Sequence, residues 1–342
     1  MQKPTIKDVA TKANVSTSTV SLVLNGKGNI SAKVRKIVVE AVKELGYRKN
    51  VYASAISKKH HTNIAILINE DYEKAFEWGL IRNMFIQLEN IMTKKGYSPV
   101  FIPVSFNTKT SVIFEKVVSA GIGSLFSIHY GNIELFTLLE DYEIPVIVIN
   151  NGDYQNKFFT ICSDDFQGAY EGTFYLINKG HKHIAFFDYE RPDFKTCQAD
   201  RYIGFKKALD EANISLGTEY KRTVNLHDVD EIKLQLTKLL DSNISPTAIF
   251  AHDDYLAVRI IMILKLMHLK IPDDISIIAP GDTLDYNEIY IPKITTMQID
   301  TKLLGKLAGE LMIERLSHKI ENVQFLKIKQ QLVERDSVKT IN

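Results

Sequence analysis

The sequence predicts an α/β protein with an N-terminal head of three helices, a hinge, and two doubly wound parallel α/β lobes. The length of 342 residues exceeds the usual size of one domain. Residues 1–61 hold 12 of the 42 basic and 3 of the 41 acidic residues, which leaves 30 basic and 38 acidic residues beyond them. After residue 62, short apolar runs alternate with longer amphipathic stretches, which is typical of parallel α/β units. We therefore predict a head at 1–47, a hinge at 48–61 and a bilobal body at 62–342.

The composition is that of an ordinary globular protein, with 45% hydrophobic and 24% charged residues, so the chain can bury a sizeable core. No apolar run approaches the ~18 residues of a membrane span, and residues 1–10 contain no signal-peptide core. We therefore expect a cytoplasmic protein with no membrane partner. Cys162 and Cys197 lie far apart and form no CxxC pattern, so we expect no disulfide, no metal site and no cofactor.

Three short helices are predicted in the head. Thr5 caps the first, whose apolar residues Ile6, Val9, Ala10 and Ala13 follow at helical spacing. After a tight turn at Asn14, Ser16 caps a second helix that runs from Thr17 to about Asn25. Ser31 caps a third helix that stops at Gly46, and its apolar stripe comprises Val34, Ile37, Val38, Ala41, Val42 and Leu45. Together the three helices enclose one small core.

The first two helices and the turn between them form a helix-turn-helix pattern. In that geometry the second helix enters the major groove of DNA, and its exposed residues meet base edges; these are Thr17, Ser18, Ser21 and Leu22. A plainer alternative is that these residues only cover the surface of a three-helix domain. The net charge of +9 over residues 1–61 favours a polyanionic partner. We predict that the head binds DNA.

The head also resembles a known family. The run TIKDVATKANVSTSTVSLVLN at 5–25, with ELGY at 44–47, is similar to the start of the LacI/GalR (lactose/galactose repressor) family. The resemblance implies a sequence-specific transcriptional regulator. It implies DNA contacts from Thr5, Ser16, Thr17, Ser18, Thr19, Ser21, Leu22, Asn25, Ser31, Tyr47, Ala53 and Ile56. Leu22 stands where many relatives have Arg or His, and it can contact a thymine methyl group but cannot donate to guanine, which predicts a shifted operator preference.

The resemblance also implies a hinge that folds on operator DNA. Ile56 stands where relatives place a leucine that enters the minor groove, and an apolar wedge of this kind kinks a base step. Lys49 replaces the usual proline and Ser54 a frequent arginine. A plain linker is the alternative, but the match on both sides favours the hinge.

Seven strands are predicted in the body, with helices between them. They lie at 64–68, 99–104, 124–128, 146–149, 184–187, 248–250 and 275–279. The series predicts two lobes of similar size. Open parallel sheets bind ligands beyond the carboxyl ends of their strands, so we expect a ligand site there.

Polar residues collect at the predicted strand ends. They are Asn69, Glu70, His129, Asn150, Asn151, Asp188, Asp253, Asp254 and Asp282. Each alone is an ordinary loop residue or helix cap. Together they favour a ligand rich in hydroxyl groups, because buried carboxylates and amides select by hydrogen bonding. The one tryptophan, Trp78, follows the first strand and is predicted either to stack on a sugar or to pack in the core.

Further landmarks extend the family resemblance through the body. They are DFQGA at 165–169, LINKGHKHIA at 176–185, RYIGF at 201–205, PDDIS at 272–276 and LVERDS at 332–337. The resemblance implies lobes of periplasmic-binding-protein type. It assigns Arg201 to clamping the effector, Asn150, Asp253 and Asp282 to the pocket, and Asp254 to capping a helix. The segment at 278–282 is one residue longer than the family pattern. The predicted effector ligands are Asn69, Trp78, His129, Asn150, Arg201, Asp253 and Asp282.

No catalytic residue is predicted. The motifs GxGxxG, GxxxxGK[ST], GxSxG and HExxH are all absent from the sequence. A sugar-metabolising enzyme would need a catalytic pair that the sequence does not display. A stand-alone sugar-binding protein would explain the body but not the basic head.

The expected function is therefore that of a transcriptional repressor. We expect a homodimer, because a helix-turn-helix gains affinity by reading two half-sites of a palindromic operator. A sugar inducer is expected to release the protein from DNA through an equilibrium between two states of the lobes. The alternative is a corepressor, either a purine or a phosphorylated partner protein, that strengthens DNA binding.

Overall fold

The computed structural model describes residues 6–24, 30–45, 62–69, 79–105, 107–189, 195–286, 293–317, 320 and 322–341. They fall into two compact units, one before residue 60 and one from residue 60 onward. The predicted hinge at 48–61 lies outside the described residues. Within the ranges given, no helix is both long and apolar enough to cross a bilayer.

The N-terminal unit consists of helices α1 (Ile6–Ala13), α2 (Thr17–Leu24) and α3 (Ala32–Glu44). Ser16 caps α2 by accepting a hydrogen bond from the Thr19 backbone N–H at 3.1 Å, and Ser31 caps α3 by accepting from Val34 at 3.4 Å. Seven small apolar residues form the core: Val9, Ala10, Ala13, Val20, Val23, Val38 and Ala41. The three predicted helices are confirmed, together with the caps at Ser16 and Ser31.

One member of the predicted stripe of α3 is wrong. Ile37 is 39% exposed, whereas Val38 and Ala41 are buried and Val34, Val42 and Leu45 pack against them. The core needs only the narrow stripe at positions 34, 38, 41, 42 and 45, and Ile37 lies on its flank. A helix packing against two short neighbours buries a narrow face, so the apolar count overestimated its width.

The first lobe of the C-terminal unit is built on a parallel six-stranded sheet of order β11-β5-β4-β3-β1-β2. The strands are β1 (Asn63–Asn69), β2 (Ser98–Val104), β3 (Ile122–Ile128), β4 (Val146–Ile149), β5 (Phe159–Ser163) and β11 (Phe325–Ile328). The helices are α4 (Gly79–Lys94), α5 (Thr110–Ser119), α6 (Ile133–Asp141) and α11 (Thr301–Leu316). A short 3-10 turn, Gly152–Tyr154, follows β4.

The second lobe repeats the design with order β12-β10-β9-β8-β6-β7, parallel except for β12. Its strands are β6 (Ile184–Tyr189), β7 (Lys221–Val224), β8 (Ala248–Ala251), β9 (Ser276–Gly281), β10 (Thr295–Gln298) and β12 (Gln331–Val333). Its helices are α7 (Asp165–Asn178), α8 (Lys195–Glu211), α9 (Val229–Leu240) and α10 (Asp254–Leu266). The predicted class, a head with two doubly wound lobes, is confirmed.

The chain passes between the lobes three times, after β5, after β10 and after β11. Helix α11 therefore packs on the first sheet although β10, which precedes it, lies in the second. The carboxyl ends of β3, β4, β6, β8 and β9 all supply residues that line or adjoin one cleft. The cleft is therefore lined by residues of both lobes.

Candidate functional site

The exposed face of α2 is the first candidate surface. Thr17 and Ser18 are exposed, Thr19 is half-buried, and the Leu22 side chain is 39% exposed. The Ser16 hydroxyl lies 2.7 Å from that of Ser18 and 2.8 Å from that of Thr19, so the hydroxyls at the start of α2 are held together. Contact of these groups with base edges stays a prediction.

Several predicted DNA contacts lie outside the described residues. They are Thr5, Asn25, Tyr47, Ala53 and Ile56, while Ser21 is described for its backbone alone. Ser31 is exposed, and its hydroxyl caps α3. The DNA contacts of the whole set remain predictions.

A cleft of about 820 Å³, including space open to solvent, lies between the two lobes. Four predicted effector ligands line it: His129, Asn150, Arg201 and Asp253. Its wall also includes Tyr189, Cys197, His227, His252, Asp254, Tyr255, Arg259 and Thr283, with apolar surface from Leu80, Leu226, Pro280 and Ile299. An apolar lining with a few converging polar groups is the usual form of a small-molecule site.

Arg201 is the centre of the cleft's polar wall. It lies on α8 and is only 5% exposed. Its Nε and Nη2 donate to Asp165 Oδ1 at 3.0 and 2.9 Å, and its Nη1 donates to the His252 carbonyl at 2.6 Å. Burial alone would lower the pKa of Arg201, but the Asp165 carboxylate outweighs burial and raises the pKa above its ordinary value. The guanidinium is therefore charged and fixed in orientation.

The Arg201 guanidinium has more N–H groups than its three hydrogen bonds use. A guanidinium carries five N–H groups, and the three bonds above leave one on Nη1 and one on Nη2 without a partner in the described part of the chain. Arg201 also lines the cleft, so these two N–H groups are its candidate donors to a ligand.

A polar network joins Arg201 to the opposite lobe. Asp165 Oδ1 lies 3.1 Å from the Ser163 hydroxyl, which is 3.2 Å from Asn150 Oδ1 and can donate its one proton to either. The Asn150 amide nitrogen lies 3.0 Å from His129 Nε2. Both His129 (φ 61°) and Asn150 (φ 55°) have left-handed backbones, which turns these residues out of the strand ends. The network therefore links the two walls of the cleft through a crossing of the chain.

Asp253 and His252 form the second half of the polar wall. The Asp253 carboxylate caps α10 by accepting from the Leu256 N–H at 2.9 Å, and it also accepts a short hydrogen bond from the Tyr189 hydroxyl. His252 is buried, and its Nδ1 lies 2.9 Å from Asp188 Oδ1. Burial alone would raise the pKa of Asp188, but the contact with His252 lowers it below the ordinary value. Both carboxylates are thus held in place by side chains that face the cleft.

Asp254 does not cap α10, and that prediction is wrong. Asp253 takes the capping position, and the Asp254 side chain turns inward and accepts from the Thr283 N–H at 2.7 Å. Gly281 (φ 138°) packs against it, and a Cβ there would lie 2.6 Å from the carboxyl carbon. Burial, with a smaller effect from Asp253, raises the pKa of Asp254 to about 7.

Asp282 is the predicted ligand that the structure does not bring to the cleft wall. Its carboxylate is 2.5 Å from Arg335 Nη2, 3.1 Å from the Thr296 hydroxyl and 2.6 Å from Gln298 Nε2. Its neighbours Gly281 and Thr283 line the cleft instead. The additional residue before Asp282 and its left-handed backbone (φ 65°) account for the different direction. Trp78 lies outside the described residues, and Asn69 is described for its backbone alone.

The cleft has the chemistry of a binding site. Within the described residues, no group of three His, Cys, Asp or Glu side chains is arranged to hold a metal ion. The polar groups offer two guanidinium donors, carboxylate and carbonyl acceptors, and imidazole nitrogens. Such a set can bind a small polar molecule whose own donors and acceptors alternate.

The comparison with known proteins agrees with this arrangement. Residues 5–50 match the model of the bacterial regulatory proteins of the lacI family, and residues 173–338 match a periplasmic binding protein-like domain. The HTH-type transcriptional repressor PurR of Pectobacterium atrosepticum is 30% identical over 342 residues, covering 98% of this chain and 96% of that protein. The chain belongs to the LacI family. Other LacI-family relatives include PurR of Histophilus somni at 29% identity and the regulator RegA of Clostridium saccharobutylicum at 28%.

Solved LacI-family structures share the fold. A transcriptional regulator CelR–cellobiose complex superposes with a TM-score of 0.72 at 20% identity, covering 98% of this chain and 99% of that one. A lac repressor dimer bound to operator and the anti-inducer ONPF superposes with a TM-score of 0.68 at 22% identity, covering 99% and 100%. The LacI-family chain is thus a DNA-binding transcriptional regulator with a small-molecule effector domain, and its family members are regulators.

Proposed function

We propose that this LacI-family regulator is a repressor that a sugar releases from its operator, with the sugar bound in the cleft between the lobes. The observation that carries the proposal is the geometry of Arg201. Its guanidinium is locked by Asp165 and the His252 carbonyl, and two N–H groups remain for a ligand. Two neighbouring N–H donors suit the hydroxyl groups of a sugar.

The remaining wall complements those donors. Asp253 places a carboxylate near the same space, while His129 and Asn150 face it from the other lobe. Sugar hydroxyls both donate and accept, so one sugar can satisfy an arginine, a carboxylate and an imidazole together. Two solved neighbours contain sugars: the CelR complex contains cellobiose, and a regulator from Enterococcus faecium contains ribose.

The second candidate is a purine that acts as a corepressor. The apolar surface of the cleft, with Tyr189 edge-on to His252 at a ring-centroid distance of 4.7 Å, favours a planar ring. The two candidates predict opposite signs. An inducer must bind the DNA-bound state more weakly than the free state, whereas a corepressor must bind it more tightly.

For the DNA partner we propose a palindromic operator read by a homodimer. The α2 helix of each copy would enter one major groove, and the predicted hinge at 48–61 would contact DNA between the half-sites. In the body we propose that the effector is bound and released unchanged, without turnover.

A ligand screen and a DNA-binding assay test the proposal on the full chain. We expect cellobiose, ribose or a related sugar to raise the melting temperature in a panel that includes purine bases. The same sugar should weaken binding to a palindrome selected from a random library, measured by fluorescence anisotropy. Stabilisation by purines alone, or tighter DNA binding with the sugar, would overturn the inducer proposal.

A pair of matched arginine variants locates the site. Arg201→Lys keeps the positive charge but loses the planar fork, and we expect sugar affinity to fall by about 100-fold. Arg315→Lys is the control, because Arg315 holds a similar forked pair with Glu140 at 2.9 Å and a bond to the Val146 carbonyl outside the cleft. Equal sugar affinity in the two variants would show that the sugar binds elsewhere.

A further inference from the structure

The helix that carries Arg201 is capped by a side chain from the opposite lobe. Asp153 lies in the 3-10 turn Gly152–Tyr154 of the first lobe, whereas α8 belongs to the second. Asp153 Oδ1 accepts from the Thr196 N–H at 2.8 Å, and Oδ2 accepts from the Lys195 N–H at 3.3 Å. We call this contact the interlobe cap. Within the described residues, the first turn of α8 thus obtains a capping carboxylate from the opposite lobe.

The carboxylate is itself anchored to the cleft wall. Asn151 Oδ1 accepts from the Asp153 N–H at 3.2 Å, and the buried Asn151 amide donates to the His129 carbonyl at 3.1 Å. The backbone approach is close, because a Cβ at Gly152 would lie 3.2 Å from Thr196 Cγ2. The position of the cap is therefore fixed by the residues that present His129 to the cleft.

A second contact between the lobes lies one turn along the same helix. Lys327 of β11 reaches Asp200 of α8 at 3.0 Å, and both side chains are about a third exposed or less. Partly exposed ion pairs of this kind contribute little and are screened by salt. The interlobe cap, with its direct bonds to backbone N–H groups, is the more specific of the two contacts.

We propose that Asp153 is a positioning residue that holds the lobes closed and thereby slows the release of an effector from the cleft. Asp153 is itself exposed, so parting the lobes uncovers no buried charge. It leaves two N–H groups of α8 without their acceptor and moves the helix of Arg201 away from His129 and Asn150. Loss of a capping side chain typically shifts an equilibrium by about 5- to 10-fold. The link to effector release rests on the proposed effector site, whereas the control of closure does not.

The thiol of Cys162 can report whether the two lobes are closed. A small cavity of about 280 Å³ beside the interlobe cap is lined by Gly152 and Cys162 of the first lobe and by Thr196 and Cys197 of the second. Cys162 is 5% exposed, and burial raises the pKa of its thiol. Alkylation of Cys162 therefore requires the lobes to part, and its rate measures the open fraction.

The experiment uses the full chain carrying Cys197→Ser, without ligand or DNA. The rate of Cys162 labelling by iodoacetamide, measured by mass spectrometry, is compared in three proteins: the chain with the natural Asp153, Asp153→Asn and Asp153→Ala. We expect Asp153→Ala to label about 5- to 10-fold faster and Asp153→Asn to fall between, because the amide oxygen still accepts one hydrogen bond. Asp228→Ala is the matched control, since Asp228 caps α9 within one lobe by accepting from Glu231 at 2.9 Å.

The outcomes separate this inference from the proposed function. Faster labelling in Asp153→Ala alone supports the interlobe cap, even if no sugar in the panel binds. Unchanged labelling, or equal acceleration in Asp228→Ala, overturns it, because the effect would then be absent or a general loss of stability. With a sugar in hand, its dissociation rate should also rise in Asp153→Ala, because release requires the lobes to part as labelling does; an unchanged rate refutes the link to the effector.

Discussion

The exposed face of α2 and the cleft between the lobes use side chains in opposite ways. In α2, short hydroxyl groups bond to neighbours within one turn, and Leu22 projects beside them into solvent. In the cleft, Arg201 is buried and bonds to residues 36 and 51 positions away in sequence. The residues available for DNA are therefore separable from the core of the head. The residues available for the effector also hold distant segments of the second lobe together, so their substitution should affect stability and binding at once.

The largest effect should follow from removing Asp165. Asp165→Ala leaves the Arg201 charge buried without its carboxylate, since both side chains are less than a tenth exposed. Breaking a buried pair in this way costs about 3–5 kcal/mol of unfolding free energy. Urea denaturation followed by circular dichroism measures this loss. Asp228→Ala, which removes only an exposed cap, should cost about 1 kcal/mol, and equal losses in the two variants would contradict the dual role of the cleft residues.

A smaller effect, dependent on pH, should come from Asp254. Its folded-state pKa of about 7 exceeds the ordinary value of 3.8, so between these values the folded chain binds more protons than the unfolded chain. Stability from this group is therefore fully present below pH 4 and is lost as pH rises to about 7, with no further loss above. Relative to Asp254→Asn, the natural chain should lose about 2–3 kcal/mol of unfolding free energy between pH 5 and 8. A constant difference between the two proteins over this range would show that Asp254 titrates normally.

The same contrast between local and remote contacts decided what the sequence could predict. The helix caps at Ser16 and Ser31 bond three residues away, so composition and spacing were enough to locate α2 and α3. Strands with long apolar runs, such as β1 and β3, were also predicted. The edge strand β7, which reads Lys-Arg-Thr-Val, and the three-residue β12 were missed because neither has an apolar run. They are strands because they pair with β6 and β10.

The cleft shows the same limit. Arg201 was found through a family motif, but neither motif nor periodicity indicated that Asp153 would meet Thr196, 43 residues away. Asp253 and Asp254 are adjacent, and the sequence alone could not decide which would cap α10 and which would turn toward Thr283. That choice depends on the close approach of Gly281, a contact between separate strands and helices. Prediction of this site therefore stopped where function depends on packing between distant segments.

The smallest effect on stability should come from Leu22→Arg, because the exposed face of α2, unlike the cleft, is separate from the core. Leu22 is 39% exposed, so the substitution should change the unfolding free energy by no more than about 0.5 kcal/mol. Its effect on base preference should be larger, about 1–3 kcal/mol in favour of guanine over thymine at one position of each half-site. Binding to a palindrome library, measured with the full chain, gives both the preferred base and the mean affinity. Lys33→Ala on the exposed start of α3 is the control, because loss of a phosphate contact should weaken all sequences alike. If Leu22→Arg altered binding to every sequence equally, the introduced arginine would be acting through its charge alone, and the head would not read bases at this position.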